Sequence, residues 1–306
     1  MKKRMCAFCL ALALSVPVFA FAAETVPDAG NGCAPVAQNL ELETYRGVAV
    51  GGKLEAADPD GDLCGFEITT PPVKGTVTLA EDGSFVYTPV EGKRGRDYFG
   101  YRAADAQGNV SQEATVIIRL KKQERADCYA DMASNGAHYA ALRLKEAGVF
   151  CGKTVAGEAL FEPEAAVSRA DFLAMSMRIA DSALLSGVTR TGFADDEAIA
   201  VWAKPCVATA LMDGVVAGYS VSGGAEFRPD DAITGYEAAV LLDRLLNITD
   251  VSVSAQDDAV PVWAAQSNAN LRACRLLPAG AAETQTLTRA QCAQMLLAAM
   301  EFLEKR

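Results

Sequence analysis

Two arginines occupy the same place in a recurring motif. Arg169 lies in Val167–Asp171, which reads VSRAD, and Arg289 in Leu287–Gln291, which reads LTRAQ; a further copy at Ile233–Glu237, ITGYE, has Gly235 instead. Ser168, Thr234 and Thr288 are each followed three residues later by Asp171, Glu237 or Gln291. That is the capping-box pattern, in which side chains satisfy the free amides of a helix start. A cation in the first helical turn meets the positive end of the helix dipole, at a cost of about 0.3–1 kcal/mol, unless an anion is bound there too. Arg169 and Arg289 therefore read as anion hooks, a planar guanidinium fork beside backbone donors that suits a carboxylate. The competing reading is that each arginine only pairs with a neighbouring acid.

Four acids make a second candidate. Asp58, Asp60 and Asp62 alternate in the run DPDGD, and Asp105 follows further on. Calcium takes about six to eight hard oxygens, so these carboxylates are candidate ligands. The same run also makes a plain turn, Pro59 presetting φ and the aspartates bonding their own backbone. Nothing points to catalysis. His138 is the only histidine, and it reads as a surface or satisfied helix residue. No GxSxG motif accompanies it, the cysteines lack the CxxC spacing of a zinc site, and no short motif singles out a carboxylate pair. The expectation is a non-enzyme with no required cofactor and calcium as the one candidate ion.

The elements that carry the arginines recur. The motif returns after 66 and then 54 residues, the mark of stacked repeats. Tyr129–Asp131 aligns with Phe193–Asp195, and Trp202 with Trp263, with Gly136 at that place in the first copy. Twelve residues later stand Gly148–Val149, Gly214–Val215 and Arg275–Leu276. Between these points runs a short helix whose face, for example Ala141 and Leu144 or Val207 and Ala210, packs inward. Then come Phe161-Glu162-Pro163 and Phe227-Arg228-Pro229, which the third copy lacks.

This order resembles the S-layer homology module in three copies over about 180 residues. The resemblance implies an all-α domain, a pseudo-threefold trefoil of three helical repeats with grooves between them. In many members the grooves hold a secondary cell-wall polysaccharide, commonly pyruvylated. It implies glycan-binding roles for Arg169, Arg289, Asp131, Asp195, Trp202, Trp263, Gly148 and Gly214. Read by themselves, Trp202 and Trp263 either stack on a sugar or pack in the core, and Asp131 and Asp195 either bond hydroxyls or cap helices. Gly235 and the short third loop leave at most two full sites.

Ahead of the repeats, short alternating segments such as Thr76–Leu79, Ser84–Tyr87, Tyr98–Tyr101 and Thr115–Leu120 are separated by Gly, Pro and Asp clusters, which favours a β-sandwich. Asp82-Gly83 makes a hairpin turn. ADPDGD at Ala57–Asp62, Gly75, DGSF with Tyr87 and Pro89, Gly95, DYF with Tyr101, and Asp105 together resemble a bacterial cadherin-like or Ig-like tandem module. That resemblance implies seven strands, a spacer or adhesive role, and frequent calcium binding.

The resulting division is a signal peptide at 1–22, a linker at 23–33, the sandwich at 34–121, a charged joint at 122–126, and repeats at 127–186, 187–250 and 251–306. The basic start and apolar run of residues 1–22 read as an export signal, and no lipobox, sorting tail or membrane helix is expected to hold the product. Its loss takes away three cations and no acid, moving the formal charge from -11 to -14, which disfavours nucleic acid and anionic membranes as partners. Seven cysteines then remain. In an exported chain they are expected to form disulfides, with Cys33–Cys64 and Cys128–Cys151 as the pairings by proximity, and one thiol over. The sequence thus reads as a secreted protein of the bacterial cell surface, in the wall or S-layer. Its repeats would anchor it non-covalently to an anionic, pyruvylated secondary cell-wall polysaccharide or another peptidoglycan-linked glycan. The alternative is an adhesin or assembly subunit whose degenerate repeats serve as a scaffold for other surface proteins.

Overall fold

The structure, a computed structural model, describes residues 32–123, 128–252, 260–277 and 285–306. The signal peptide, most of the first linker and most of the charged joint lie outside the described residues.

The alternating stretches form a sandwich. Leu40–Tyr45 (β2), Ala114–Lys121 (β9), Gly95–Asp105 (β8) and Leu63–Thr70 (β5) make one sheet in that order, and Val50–Lys53 (β3), Ser84–Pro89 (β7) and Gly75–Leu79 (β6) make the other. These are the seven expected strands; a short ladder of Val36–Ala37 (β1) with Ala56–Ala57 (β4) is added at one end. Strand period puts every second side chain inward: Phe85 and Tyr87, Phe99 and Tyr101, and Val116, Ile118 and Leu120 are buried between the sheets. The turn closing β6 onto β7 has Gly83 at φ 82°, where a Cβ would be disfavoured.

Among the described residues six α-helices follow, in pairs: His138–Glu146 (α1) and Arg169–Ile179 (α2), Lys204–Met212 (α3) and Gly235–Leu246 (α4), Ala265–Ala273 (α5) and Arg289–Glu304 (α6). The expectation of an all-α part is corrected by two hairpins, Lys153–Val155 (β10) with Glu158–Leu160 (β11), and Tyr219–Val221 (β12) with Gly224–Glu226 (β13). Their turns carry the positive φ that tight hairpins require, at Ala156 and Gly157 and at Gly223 and Gly224. Strands of three residues are too short to show a period of two.

The capping segments before α2, α4 and α6 bond one another in a closed ring. Val167 N–H donates to Leu287 O (3.4 Å), Leu287 N–H to Ile233 O (2.8 Å), and Ile233 N–H to Val167 O (2.9 Å). These three aliphatic residues are 3 %, 1 % and 0 % exposed, so burial of their side chains sets the backbone edges together and the edges satisfy each other. Two residues on, Arg169 N–H reaches Asp231 O, Gly235 N–H reaches Gln285 O, and Arg289 N–H reaches Ala165 O. Each helix start thus leans on the next repeat in cyclic order.

The expected Cys33–Cys64 and Cys128–Cys151 bridges are corrected as well: all seven described cysteines are free thiols. Cys64 is the extra residue of a bulge in β5 between Leu63 and Gly65, which re-aims its side chain. Cys206 and Cys292 are buried, and burial pushes both thiols up.

Candidate functional site

The ring positions two arginines over equivalent loops, and each loop is held by an aspartate. Asp131 accepts from Phe161 N–H (2.8 and 3.1 Å) and Glu162 N–H (2.7 Å). Asp195 accepts likewise from Phe227 N–H (2.8 Å) and Arg228 N–H (2.7 Å). Glu162 and Arg228 both lie at φ 58°, a left-handed conformation costing a side chain about 1–2 kcal/mol, which the charge-assisted bonds offset. The aspartates therefore hold loop backbone, and neither caps the helix after it nor stands free for a ligand.

Arg169 is taken up inside the protein. Its Nε donates to Phe227 O (3.0 Å), and Nη1 pairs with Glu237 Oε1 (3.2 Å), with the side chains 11 % and 15 % exposed. The guanidinium carbon lies 4.9 Å from the Tyr219 ring centre and 5.4 Å from that of Phe227. Tyr219 Oη bonds the same Glu237 carboxylate. Burial lowers the Arg169 pKa, and Glu237 opposes that shift. The pairing reading describes this arginine.

Arg289 has the same backbone contact and a different neighbourhood. Nε donates to Phe161 O (2.7 Å) and Nη2 to Cys151 O (3.2 Å), and the guanidinium carbon stands 4.4 Å from the Phe150 ring centre and 4.9 Å from that of Phe161. The residue equivalent to Glu237 is Asp171, one methylene shorter, and its carboxylate accepts from Ser168 Oγ (2.7 Å). Asp171, like Glu162, acts on Arg289 through its charge only, opposing the burial that lowers its pKa. Lys153 takes the place of Tyr219 in the first hairpin and pairs with Glu162 (2.5 Å). Among the described residues no acid is bonded to Arg289, and its Nη1 carries no hydrogen bond.

The helix starts lend no backbone donors. The amides of Arg289, Ala290 and Gln291 go to Ala165 O, Pro163 O and Thr288 Oγ1, and those of Arg169, Ala170 and Asp171 to Asp231 O, Pro229 O and Ser168 Oγ. The expected fork plus free amides is thus corrected to the fork alone. The third groove begins at Gly235 and, among the described residues, holds no equivalent cation.

Trp202 and Trp263 are 56 % and 59 % exposed, on the turns before α3 and α5, with Trp263 edge-on to Tyr236 (6.3 Å, 79°). Gly148 and Gly214 end α1 and α3 at φ 66° and 72°, the left-handed residue that commonly stops a helix. Among the described residues none of these four is hydrogen-bonded to either arginine. Sequence reasoning missed Glu237, Asp171, Tyr219 and Lys153; the signal was the alternation of glutamate and aspartate at the last place of ITGYE and VSRAD.

In the sandwich, carboxylate oxygens of Asp58, Asp60 and Asp62 lie within 4.8 Å of one another. Asp58 Oδ2 and Asp62 Oδ1 are shielded from solvent and have no hydrogen-bond partner. Burial raises the Asp62 pKa, and the charges of Asp58 and Asp105 add to it. Hard oxygens left unsatisfied this way fit a divalent cation. Asp105 is not in this group: it accepts from the backbone of Gln107 (2.9 Å) and Asn109 (2.8 Å) and from Asn109 Nδ2 (2.9 Å).

The bacterial cadherin-like domain family matches residues 33–122. No curated protein matches the chain. Among solved structures, the SrpA adhesin of Streptococcus sanguinis is 21 % identical over 33 % of this chain and 65 % of its own, with a TM-score of 0.27. The sialic acid binding region of the Streptococcus sanguinis SK1 adhesin is 17 % identical over 30 % of each chain, TM-score 0.24. Fibronectin(III)-like modules of CbhA from Clostridium thermocellum are 15 % identical over 29 % of this chain and 47 % of theirs, TM-score 0.23. In each case this chain spans less than two thirds of the protein it resembles.

Proposed function

We propose that the chain, a bacterial cadherin-like domain joined to three helical repeats, is a non-enzymatic protein of the bacterial cell surface. Its repeats form an S-layer homology trefoil and anchor it non-covalently to an anionic, pyruvylated secondary cell-wall polysaccharide. The closed backbone ring of Val167, Ile233 and Leu287 supports the trefoil. The observation that carries the binding reading is the Arg289 guanidinium, lying over the mutually packed rings of Phe150 and Phe161 with no bonded acid among the described residues. A ketal carboxylate would take the open edge of that fork, which the two buried rings hold in place from beneath. Arg169, by contrast, is neutralised by Glu237, so one groove does most of the binding.

The test is sedimentation with purified sacculi before and after removal of pyruvate. Pyruvate-dependent binding that Arg289→Ala abolishes and Arg169→Ala spares is expected. Binding indifferent to pyruvate and to both substitutions would favour the scaffold reading, which the neutralised Arg169 and the bare Gly235 groove support. A second part of the proposal assigns calcium to Asp58, Asp60 and Asp62. Calcium should raise the melting temperature of the wild type over a chelated sample, and Asp60→Asn should remove that increment; equal melting in both conditions would dismiss the ion.

A further inference from the structure

The first helices of repeats 2 and 3 are covered, on the same face, by the chain that leads into them. Thr209 of α3 accepts from Leu185 N–H (3.0 Å). Asn270, at the same position of α5, accepts from Val251 N–H (3.0 Å) and donates to Asp250 (3.0 Å). Repeat 1 has no repeat ahead of it, and on α1 the sandwich takes this face. Tyr45 Oη donates to Glu146 (2.6 Å), the Tyr45 and Tyr139 rings meet edge-on at 5.1 Å, and Tyr139 N–H donates to Ala49 O (3.4 Å). Tyr139, Ala137 and Ala140 are all buried.

Two departures from the repeat pattern fall on the same contact. Gly136 stands where the other copies have an exposed tryptophan, and its carbonyl accepts from Gly51 N–H of β3 (2.7 Å). A Cβ on Gly136 would lie 3.0 Å from Gly51 Cα and 3.2 Å from Val86 Cγ2, so only glycine lets the backbones approach this closely. Arg275 stands where the other copies have Gly148 and Gly214. It keeps their left-handed backbone at φ 57°, an unfavourable place for a side chain, and spends that side chain on Glu55 (2.6 Å) and Gln38 (3.2 Å) of the sandwich.

We infer that the sandwich is the built-in cap of the helical ring, occupying on repeat 1 the face that α3 and α5 close with their own leading segments. Gly136 and Arg275 are the residues by which the repeats are fitted to it. The sandwich is therefore held at one orientation to the ring and does not swing on a tether. This holds whether or not the ring binds glycan.

Hydrogen exchange on the full chain tests it, because the Gly51 and Tyr139 amides cross the contact and report local opening. In the wild type both should be protected to within about tenfold of Ile233 and Leu287 in the ring. Gly136→Trp, which restores the residue of the other repeats, should speed exchange at Gly51 and Tyr139 about a hundredfold or more and leave Ile233 and Leu287 protected. Arg275→Gly, again the residue of the other copies and free of backbone strain, should speed the same two amides several-fold and needs no new bulk to be accommodated. Fast exchange of Gly51 and Tyr139 in the wild type would overturn the inference, as would unchanged protection in both variants.

Discussion

Lengthening Asp171 by one methylene should switch off the groove at Arg289 while leaving the arginine in place. The protein contains the control: at the equivalent position Glu237 reaches Arg169 at 3.2 Å and neutralises it, whereas Asp171 stays with Ser168. In Asp171→Glu the longer carboxylate is expected to close on Arg289 and compete with any external anion. A hydrogen bond to a charged group is worth about 1.5–3 kcal/mol. At about 1.4 kcal/mol per tenfold, the competing pair should weaken glycan binding by roughly tenfold to a hundredfold. Stability should hold, since glutamate at this place completes a capping box as it does in α4. Calorimetric titration with purified polysaccharide reads the affinity, and thermal melting reads the fold. A variant that melts as the wild type and binds within about twofold of it would refute the reasoning, because 1.5 kcal/mol of competition cannot hide in that range.

Three further outcomes are expected. Asp131→Asn should weaken the three bonds that hold Phe161 and Glu162, costing about 1–3 kcal/mol; denaturant melts would show it, and glycan affinity should fall with it because Phe161 O anchors Arg289. His138 is 3 % exposed with neither ring nitrogen in a well-formed hydrogen bond, and burial lowers its pKa from 6.5, opposed by the charge of Asp131 and by the backbone of Met132. The unfolded chain then takes up the proton first as pH falls below about 6.5, so stability is full above that pH and declines below it; His138→Gln should flatten the histidine part of that slope in melts at pH 7.5 and 5. Trp202→Ala and Trp263→Ala remove exposed rings, so melting midpoints should shift little, within about 0.5 kcal/mol; a large loss would show a packing role that their exposure does not.

Much of the framework was legible because it rests on local chemistry. The cap residues Ser168, Thr234 and Thr288 placed the starts of α2, α4 and α6 at Arg169, Gly235 and Arg289. The reciprocal capping box expected in all three closes only in α4 and α6, the shorter Asp171 bonding the Ser168 hydroxyl instead. Strand alternation placed Ser84–Tyr87, Tyr98–Tyr101 and Thr115–Leu120 in the sandwich. What was not legible depends on partners distant in the chain. The Arg169–Glu237 pair crosses from one repeat to the next, so the longer carboxylate that ends ITGYE has no visible partner until the repeats are packed together. Asp131 and Asp195 were visible as conspicuous acids, but their work is on backbone amides some thirty residues away. His138 read as a surface or satisfied helix residue, whereas it is buried, a property of the packed chain and not of its own helix. Gly136 and Arg275 stood in the sequence only as departures from the repeat pattern, because their partners Gly51 and Glu55 lie in the sandwich.

The central claim is that one groove, the one at Arg289, holds the anionic glycan. The stoichiometry of a calorimetric titration with a short pyruvylated fragment of the polysaccharide tests it directly. One site per chain is expected, lost in Arg289→Ala and kept in Arg169→Ala. Two equal sites, or a site that survives Arg289→Ala and disappears with Arg169→Ala, would contradict it.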